Sequence, residues 1–295
     1  MSDIDEEVKN ETELPASMFD KPRKTVWHLQ KMKAKGEKIV QVCPMWNDPL
    51  FSMFCEYAGV DVLRYIAPGE TSIKRGENMV WWTREIRKLA PTINLNAVLN
   101  STQTPDNSTA YFNAVNLLEE GADSVLIMGI TLDMLKFLSD RHVPNWGHVG
   151  ILSGWQTGEY GGYRRVGKTA RDAMAIYRQA YEYQENGMAG MTIEMTPREV
   201  TDAIAKKLRV PVISVAAGGA ADGCEMVHYD LFGLMPKPAK HAKVYGNLFQ
   251  FCVGAYGAFA QDVRSGGYPQ KEHGWGMEPA ELDNFMNQLE HTGVK

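Results

Sequence analysis

No apolar run in the chain approaches the ~18 residues that a membrane-spanning helix needs. The four cysteines (Cys43, Cys55, Cys224 and Cys252) form no CxxC pair. That spacing argues against a zinc ribbon or a disulfide framework and reads as buried thiols. No basic stripe interleaved with aromatics occurs, and 31 Lys+Arg against 36 Asp+Glu leave a formal charge of −5, so no nucleic-acid partner is expected. A GxGxxG after the first predicted strand is missing, which removes support for a dinucleotide fold. Repeats, low-complexity segments and dividing linkers are lacking too. The acidic start, residues 1–13, has no apolar segment of the kind a signal peptide carries. Residues 1–20 are expected to be a disordered tail on a cytoplasmic protein.

What is present is a strict alternation of strand and helix signals. Buried strands are predicted at Lys38–Cys43, Val60–Ala67, Thr92–Leu99, Asp123–Gly129, Asn145–Ile151, Gly190–Met195 and Val210–Ala217, with a weak eighth near Pro238–Lys243. Helical patterns lie at Asp48–Ala58, Trp81–Lys88, Thr109–Glu120, Leu132–Asp140, Thr169–Glu185 and Thr196–Leu208, and a long one runs from about Asn247 to Ser265. Thr196 is placed to cap the helix opened by Pro197, with Glu199 completing a capping box. This pattern predicts the α/β class: a single (β/α)8 TIM barrel over 21–295 with a C-terminal helical extension. Sixteen Met and seven Trp supply large soft side chains for core or for an apolar pocket, to which Trp46, Trp155 and Met128 are candidates.

Period-2 alternation then assigns faces. Asn94, Asn96, Val98 and Asn100 share one face of the third strand; Ser124, Leu126 and Met128 share one of the fourth. Trp146 pairs with His148 on the fifth strand, and Thr192 with Glu194 on the sixth. The last member of each set belongs at the C-terminal mouth, where such barrels carry out chemistry. Each candidate has a plainer alternative. Glu194 is either an acid/base or a rim carboxylate in an ion pair, and His148 is either a ligand-facing group or a satisfied core histidine. Asn94 and Asn96 read first as a hydrogen-bonded polar layer. Gly218-Gly219 with Asp222-Gly223 is either an anion cradle or a tight turn.

Taken in order, these pieces resemble the ketopantoate hydroxymethyltransferase family of the phosphoenolpyruvate mutase/isocitrate lyase superfamily. Tyr57-Ala58-Gly59-Val60-Asp61 is similar to the family's "EAGVD", and Gly147-His148-Val149-Gly150-Ile151 to "GHLGL". Gly161-Gly162-Tyr163-Arg164-Arg165-Val166-Gly167-Lys168 resembles "GGYKVQGR", and Ile193-Glu194-Met195-Thr196-Pro197 resembles "LECVP". Asp222-Gly223 with His228-Tyr229-Asp230, and Ser265-Gly266-Gly267-Tyr268-Pro269 before His273, complete the series. The resemblance implies a cytoplasmic homo-oligomer that uses Mg²⁺. It further implies transfer of a hydroxymethyl group from methylenetetrahydrofolate to the carbon beside the carbonyl of a small 2-oxo acid, with Glu194 as general base.

The family's metal and substrate set is where the chain departs. Glu70, in Gly69-Glu70-Thr71, stands for the first metal ligand only through a small length shift. Val98 falls at the second ligand, Leu126 at the substrate-binding lysine and Met128 at the last carboxylate. Neither Val nor Met offers the oxygen that Mg²⁺ requires, so a weakened or absent metal site is expected. Thr71, His148 and Asn100 are the candidates to orient a substrate, with Val98 and Met128 as apolar walls. In those surroundings the pKa of Glu194 is expected to rise. Three functions follow: a family-like enzyme acting on a carbon–carbon bond, a diverged metal-independent lyase, hydrolase or isomerase on a bulkier apolar substrate, and a non-catalytic binding or scaffold barrel.

Overall fold

Eight parallel strands pair in chain order and close into a barrel. The computed structural model describes residues 21–43, 49–219, 221–235 and 237–293; Trp46, Asp48 and the predicted acidic tail 1–20 lie outside them. The strands are β1 Ile39–Cys43, β2 Val62–Tyr65, β3 Asn94–Leu99, β4 Ser124–Ile127, β5 Asn145–Gly150, β6 Gly190–Glu194, β7 Val212–Val215 and β8 Gly223–Val227. The first seven lie within the predicted runs, because the face of each strand that helices cover reads largely apolar even where the luminal face carries Gln41, Arg64, Asn96 or Thr192. The eighth is a correction: residues 238–243 form no strand. Instead β8 is the next strand after β7 and pairs with β1 from Ile39↔Gly223 to Cys43↔Val227. Gly-Cys-Glu-Met-Val carries a charge at its centre, so it does not read as a buried strand.

A helix the sequence reading did not identify, α1 (Val26–Lys35), precedes β1. Its Leu29 and Met32 pack against Ile39, Val62, Leu126, Trp146 and Ile213 and plug the lumen from below. The helices α2 Leu50–Tyr57, α3 Ser72–Leu89, α4 Asn107–Glu119, α5 Leu132–Ser139, α6 Ala170–Glu185 and α7 Arg198–Lys207 then alternate with strands. Met79, Trp82 and Ile86 of α3, Leu117 of α4 and Leu135 and Leu138 of α5 belong to one core with Leu63, Leu95, Leu99 and Val125 of the strands. Full burial of such a side chain stabilises by about 1.5–3 kcal/mol. Helix α3 begins well before the predicted Trp81, since Ser72-Ile73-Lys74-Arg75-Gly76 has little apolar periodicity. Thr196 does not cap α7: the N-cap position is Pro197, and the Thr196 hydroxyl bonds the Thr201 hydroxyl at 2.7 Å. Proline fixes the entry angle there, leaving the threonine free to turn inward.

After β8 come α8 His228–Leu231, α9 Leu248–Ser265 and α10 Pro279–His291. No residue of α9 or α10 is buried. Among the described residues, no helix is long and apolar enough to cross a membrane.

Within the lumen, Trp146 fills the space that Gly190 vacates on the neighbouring strand: a Cβ at Gly190 would lie 2.3 Å from the indole. A polar layer crosses the barrel at the same height. Arg64 of β2 donates from Nε to Asn96 Oδ1 at 3.0 Å, pairs through Nη1 with Glu225 Oε2 at 2.8 Å, and bonds Thr192 Oγ1 through Nη2. Asn96 continues to Ser124 Oγ at 2.7 Å, and Gln41 donates to Glu225. The expected asparagine layer is therefore present at Asn96, built around a buried guanidinium. Asn94, also buried, donates to the Lys24 carbonyl at 3.1 Å.

Candidate active site

Glu194 is the last residue of β6, opposite Gly150 of β5. Only 7% of it is exposed, and both carboxylate oxygens are engaged. Oε2 lies 3.1 Å from His148 Nε2, and Oε1 accepts the hydroxyl of Tyr163. His148 Nε2 is also 2.9 Å from the Ile151 carbonyl. Two acceptors converge on this nitrogen, so it carries the proton, and Nδ1 is buried without a partner. Directly after Glu194, Met195 has φ 56, and Ala216 just past β7 has φ 49. Non-glycine residues in the left-handed region cost about 1–3 kcal/mol each and are held by their surroundings. Here Met195 N donates to Val215 O at 3.0 Å, and Val166 N donates to Met195 O at 3.0 Å.

The pKa of Glu194 is lowered, against the expected rise. Burial is the largest single influence and pushes it up. The hydrogen bond and charge of His148, the Tyr163 hydroxyl and the Arg64 guanidinium together outweigh it. Met191, Ile193 and Met195 are visible beside Glu194 in sequence, whereas its polar partners arrive from other strands and a loop. Tyr163 is the partner of Glu194 that sequence reasoning did not single out, although it stands in the motif at 161–168; Gly161 and Gly162 beside it have φ 70 and 106.

The other predicted site residues do not all converge on Glu194. Val98 and Met128 are partly buried at the top of the luminal cluster containing Leu126 and Trp146, and make an apolar wall. Thr71 is exposed and caps α3, its Oγ1 accepting from Lys74 N at 3.2 Å. Glu70 is exposed on the same loop. Asn100 donates to Ser72 O at 2.9 Å and accepts from Thr102, so its amide ties the loop after β3 to the start of α3. Trp155 is 72% exposed on a 3₁₀ turn, Gly154–Tyr160. Gly218 (φ 106) has Arg198 Cβ 2.4 Å from its notional Cβ, which marks a tight turn against α7.

Mg²⁺ takes six oxygen ligands in near-octahedral geometry. At the strand ends where the resemblance places its carboxylates stand Val98 and Met128, with Leu126 beneath, and Glu70 is exposed on the loop before α3. These residues do not fit the ion. Among the described residues, no three His, Cys, Asp or Glu side chains are placed to share a metal. A buried nucleophile is not favoured either. Cys55 Sγ lies 3.9 Å from His228 Nε2, but burial pushes the thiol up to about 12 and the imidazole down to about 4, so both are neutral.

Comparison with known proteins agrees with the barrel and its ordered motifs. The chain is 30% identical to a 3-methyl-2-oxobutanoate hydroxymethyltransferase of Methylibium petroleiphilum, covering 92% of this chain and 95% of that one. It is 32% identical to the enzyme of that name from Hyperthermus butylicus, covering 92% and 97%. In fold it is similar to 2,3-dimethylmalate lyase, a member of the phosphoenolpyruvate mutase/isocitrate lyase superfamily, with a TM-score of 0.54 at 13% identity over 91% of this chain and 99% of that one. Residues 23–271 match the ketopantoate hydroxymethyltransferase family itself. The chain belongs to the ketopantoate hydroxymethyltransferase family.

Proposed function

We propose that this protein makes or breaks a carbon–carbon bond beside the carbonyl of a small 2-oxo acid, with Glu194 as the acid/base. The observation that carries this reading is the ionised carboxylate held between His148 and Tyr163 at the barrel mouth. In the synthetic direction, Glu194 takes the proton from the carbon next to the keto group. The electron pair moves toward the keto oxygen, giving an enolate whose carbon attacks a one-carbon electrophile. Each carboxylate oxygen has a second lone-pair direction, so its two partners leave room for that proton. His148 orients the carboxylate. Val98 and Met128 hold the alkyl part of the substrate, while Asn100 and Thr71 shape the loops of the rim. A removable proton and a base within reach contribute about 10²–10⁴-fold in such chemistry.

Methylenetetrahydrofolate as the one-carbon donor, and a cytoplasmic setting, enter this reading through the family. A homo-oligomer is supported by α9 and α10, whose Phe251, Tyr256, Phe259, Phe285 and Leu289 are all exposed. Apolar helix faces of this kind are covered in most assemblies. The wall of Val98, Leu126 and Met128 favours a second version of the same chemistry, on a bulkier apolar acid without a metal.

Incubating the protein with 3-methyl-2-oxobutanoate and a panel of longer 2-oxo acids in D₂O, and following the hydrogen beside the keto group by NMR, tests the proposal. Exchange above background for at least one acid is expected. No exchange across the panel sinks it.

A further inference from the structure

The two partners of Glu194 differ in their access to water. His148 is buried, 3% exposed, whereas Tyr163 is 52% exposed. Of the two side chains bonded to Glu194 among the described residues, Tyr163 is the one that reaches water, so a hydrogen-bonded path outward from the carboxylate runs through its hydroxyl. Resting on the reading of Glu194 as acid/base, we propose that Tyr163 is the proton relay that returns Glu194 to its ionised form after each proton abstraction.

The loop geometry suits that task. Gly161 and Gly162 turn the chain out of the 3₁₀ segment, and Val166 N is tied to the Met195 carbonyl at 3.0 Å. Tyr163 is thus held over the end of β6 by a tie to the residue that follows Glu194. Gly167 packs against Ile176, whose Cδ1 would lie 2.8 Å from a Cβ there, which fixes the far end of the strap on α6.

In the step, once Glu194 is protonated the phenol hydroxyl turns outward and accepts from the carboxyl; the carboxyl proton passes to the phenol oxygen as the phenol's own proton passes to water or a buffer base. Glu194 ends as carboxylate, Tyr163 as neutral phenol, and the solvent base gains one proton; no bond to carbon changes. The reverse transfer supplies a proton when Glu194 acts as an acid. Burial and the nearby Glu194 charge push the phenol pKa up, so Tyr163 stays neutral throughout.

Relays of this type are revealed by buffer. Tyr163→Phe removes one hydroxyl from a half-exposed loop side chain, and its thermal unfolding is expected to match that of the unaltered protein. Its exchange of the substrate hydrogen with D₂O in dilute buffer should fall by at least about tenfold, within the range of proton-transfer effects. Raising the concentration of imidazole buffer should restore most of the rate in Tyr163→Phe and leave the unaltered protein unchanged. Full-speed exchange by Tyr163→Phe in dilute buffer overturns the relay. So does slow exchange that buffer leaves slow, which would make Tyr163 a positioning residue. Glu194→Gln in the same buffers separates the two readings: exchange that survives it overturns the acid/base role itself.

Discussion

The rim formed by β5 and β6 and the rim formed by β3 and β4 sit at the same end of one barrel and differ in almost every chemical respect. The first places an imidazole and a phenol within hydrogen-bonding distance of one carboxylate. The second presents Val98, Leu126 and Met128, which offer shape and no hard ligand. The contrast teaches that one end of a barrel can carry a hydrogen-bonded carboxylate on one wall and none of the oxygen donors a hard cation needs on the other. In this chain a carboxylate held by two polar partners faces an apolar opposite wall. Beneath both rims lies the same floor, in which Arg64 joins β2 to β3, β6 and β8.

The largest expected effect comes from breaking the polar rim. Glu194→Gln keeps the shape and both neighbours but removes the base, and a loss of about 10²–10⁴-fold in substrate hydrogen exchange is expected, read by NMR. Next is the floor. Arg64→Met leaves Glu225 buried without its cation, and a loss of about 3–5 kcal/mol is expected in chemical denaturation. Replacing both, Arg64→Met with Glu225→Met, should recover most of it, because the isolated charge is what is costly.

The apolar rim should respond differently. Met128→Ala is expected to weaken substrate binding by about 1–3 kcal/mol through lost contact, with little change in kcat. Steady-state kinetics showing the reverse, a falling kcat at constant KM, would place Met128 in the chemistry and erase the contrast. The smallest effect is on the pH dependence of stability. The folded pKa of Glu194 lies below its ordinary value of 4.5. Its ionised form therefore contributes stability that is complete above that value and is lost as pH falls through the lower folded value. The stability difference between the unaltered protein and Glu194→Gln should narrow as acid is added through that window, measured by urea unfolding.

The barrel was legible because each of seven strands has an apolar helix-facing side, marked by Val42, Leu63, Leu95, Val125, Val149, Ile193 and Val212. The eighth was not, since Glu225 is held in β8 by Arg64 and Gln41, which lie far away in sequence. Helix α1 escaped notice because just one of its residues, Leu29, is buried, the least signal a periodic reading can use. At the site, alternation placed Glu194 and His148 correctly on inward faces of adjacent strands. It could not reveal Tyr163, which reaches Glu194 from a loop 31 residues earlier, because no period governs a loop. For the same reason the direction of the Glu194 pKa was misjudged: apolar neighbours are local, and the groups that hold it ionised are not. Thr71 and Asn100 were placed at the mouth by their motif and strand, but their polar atoms are spent on helix and loop geometry.

The central claim is that the β5–β6 rim performs proton transfer without help from a cation on the opposite wall. Its most direct test is the rate at which the protein exchanges the hydrogen beside the keto group of 3-methyl-2-oxobutanoate, or of the best acid in the panel, with D₂O. The rate should be equal in excess Mg²⁺ and in EDTA, and lost in Glu194→Gln under both conditions. Exchange that requires Mg²⁺, or that persists without the Glu194 carboxylate, would contradict it.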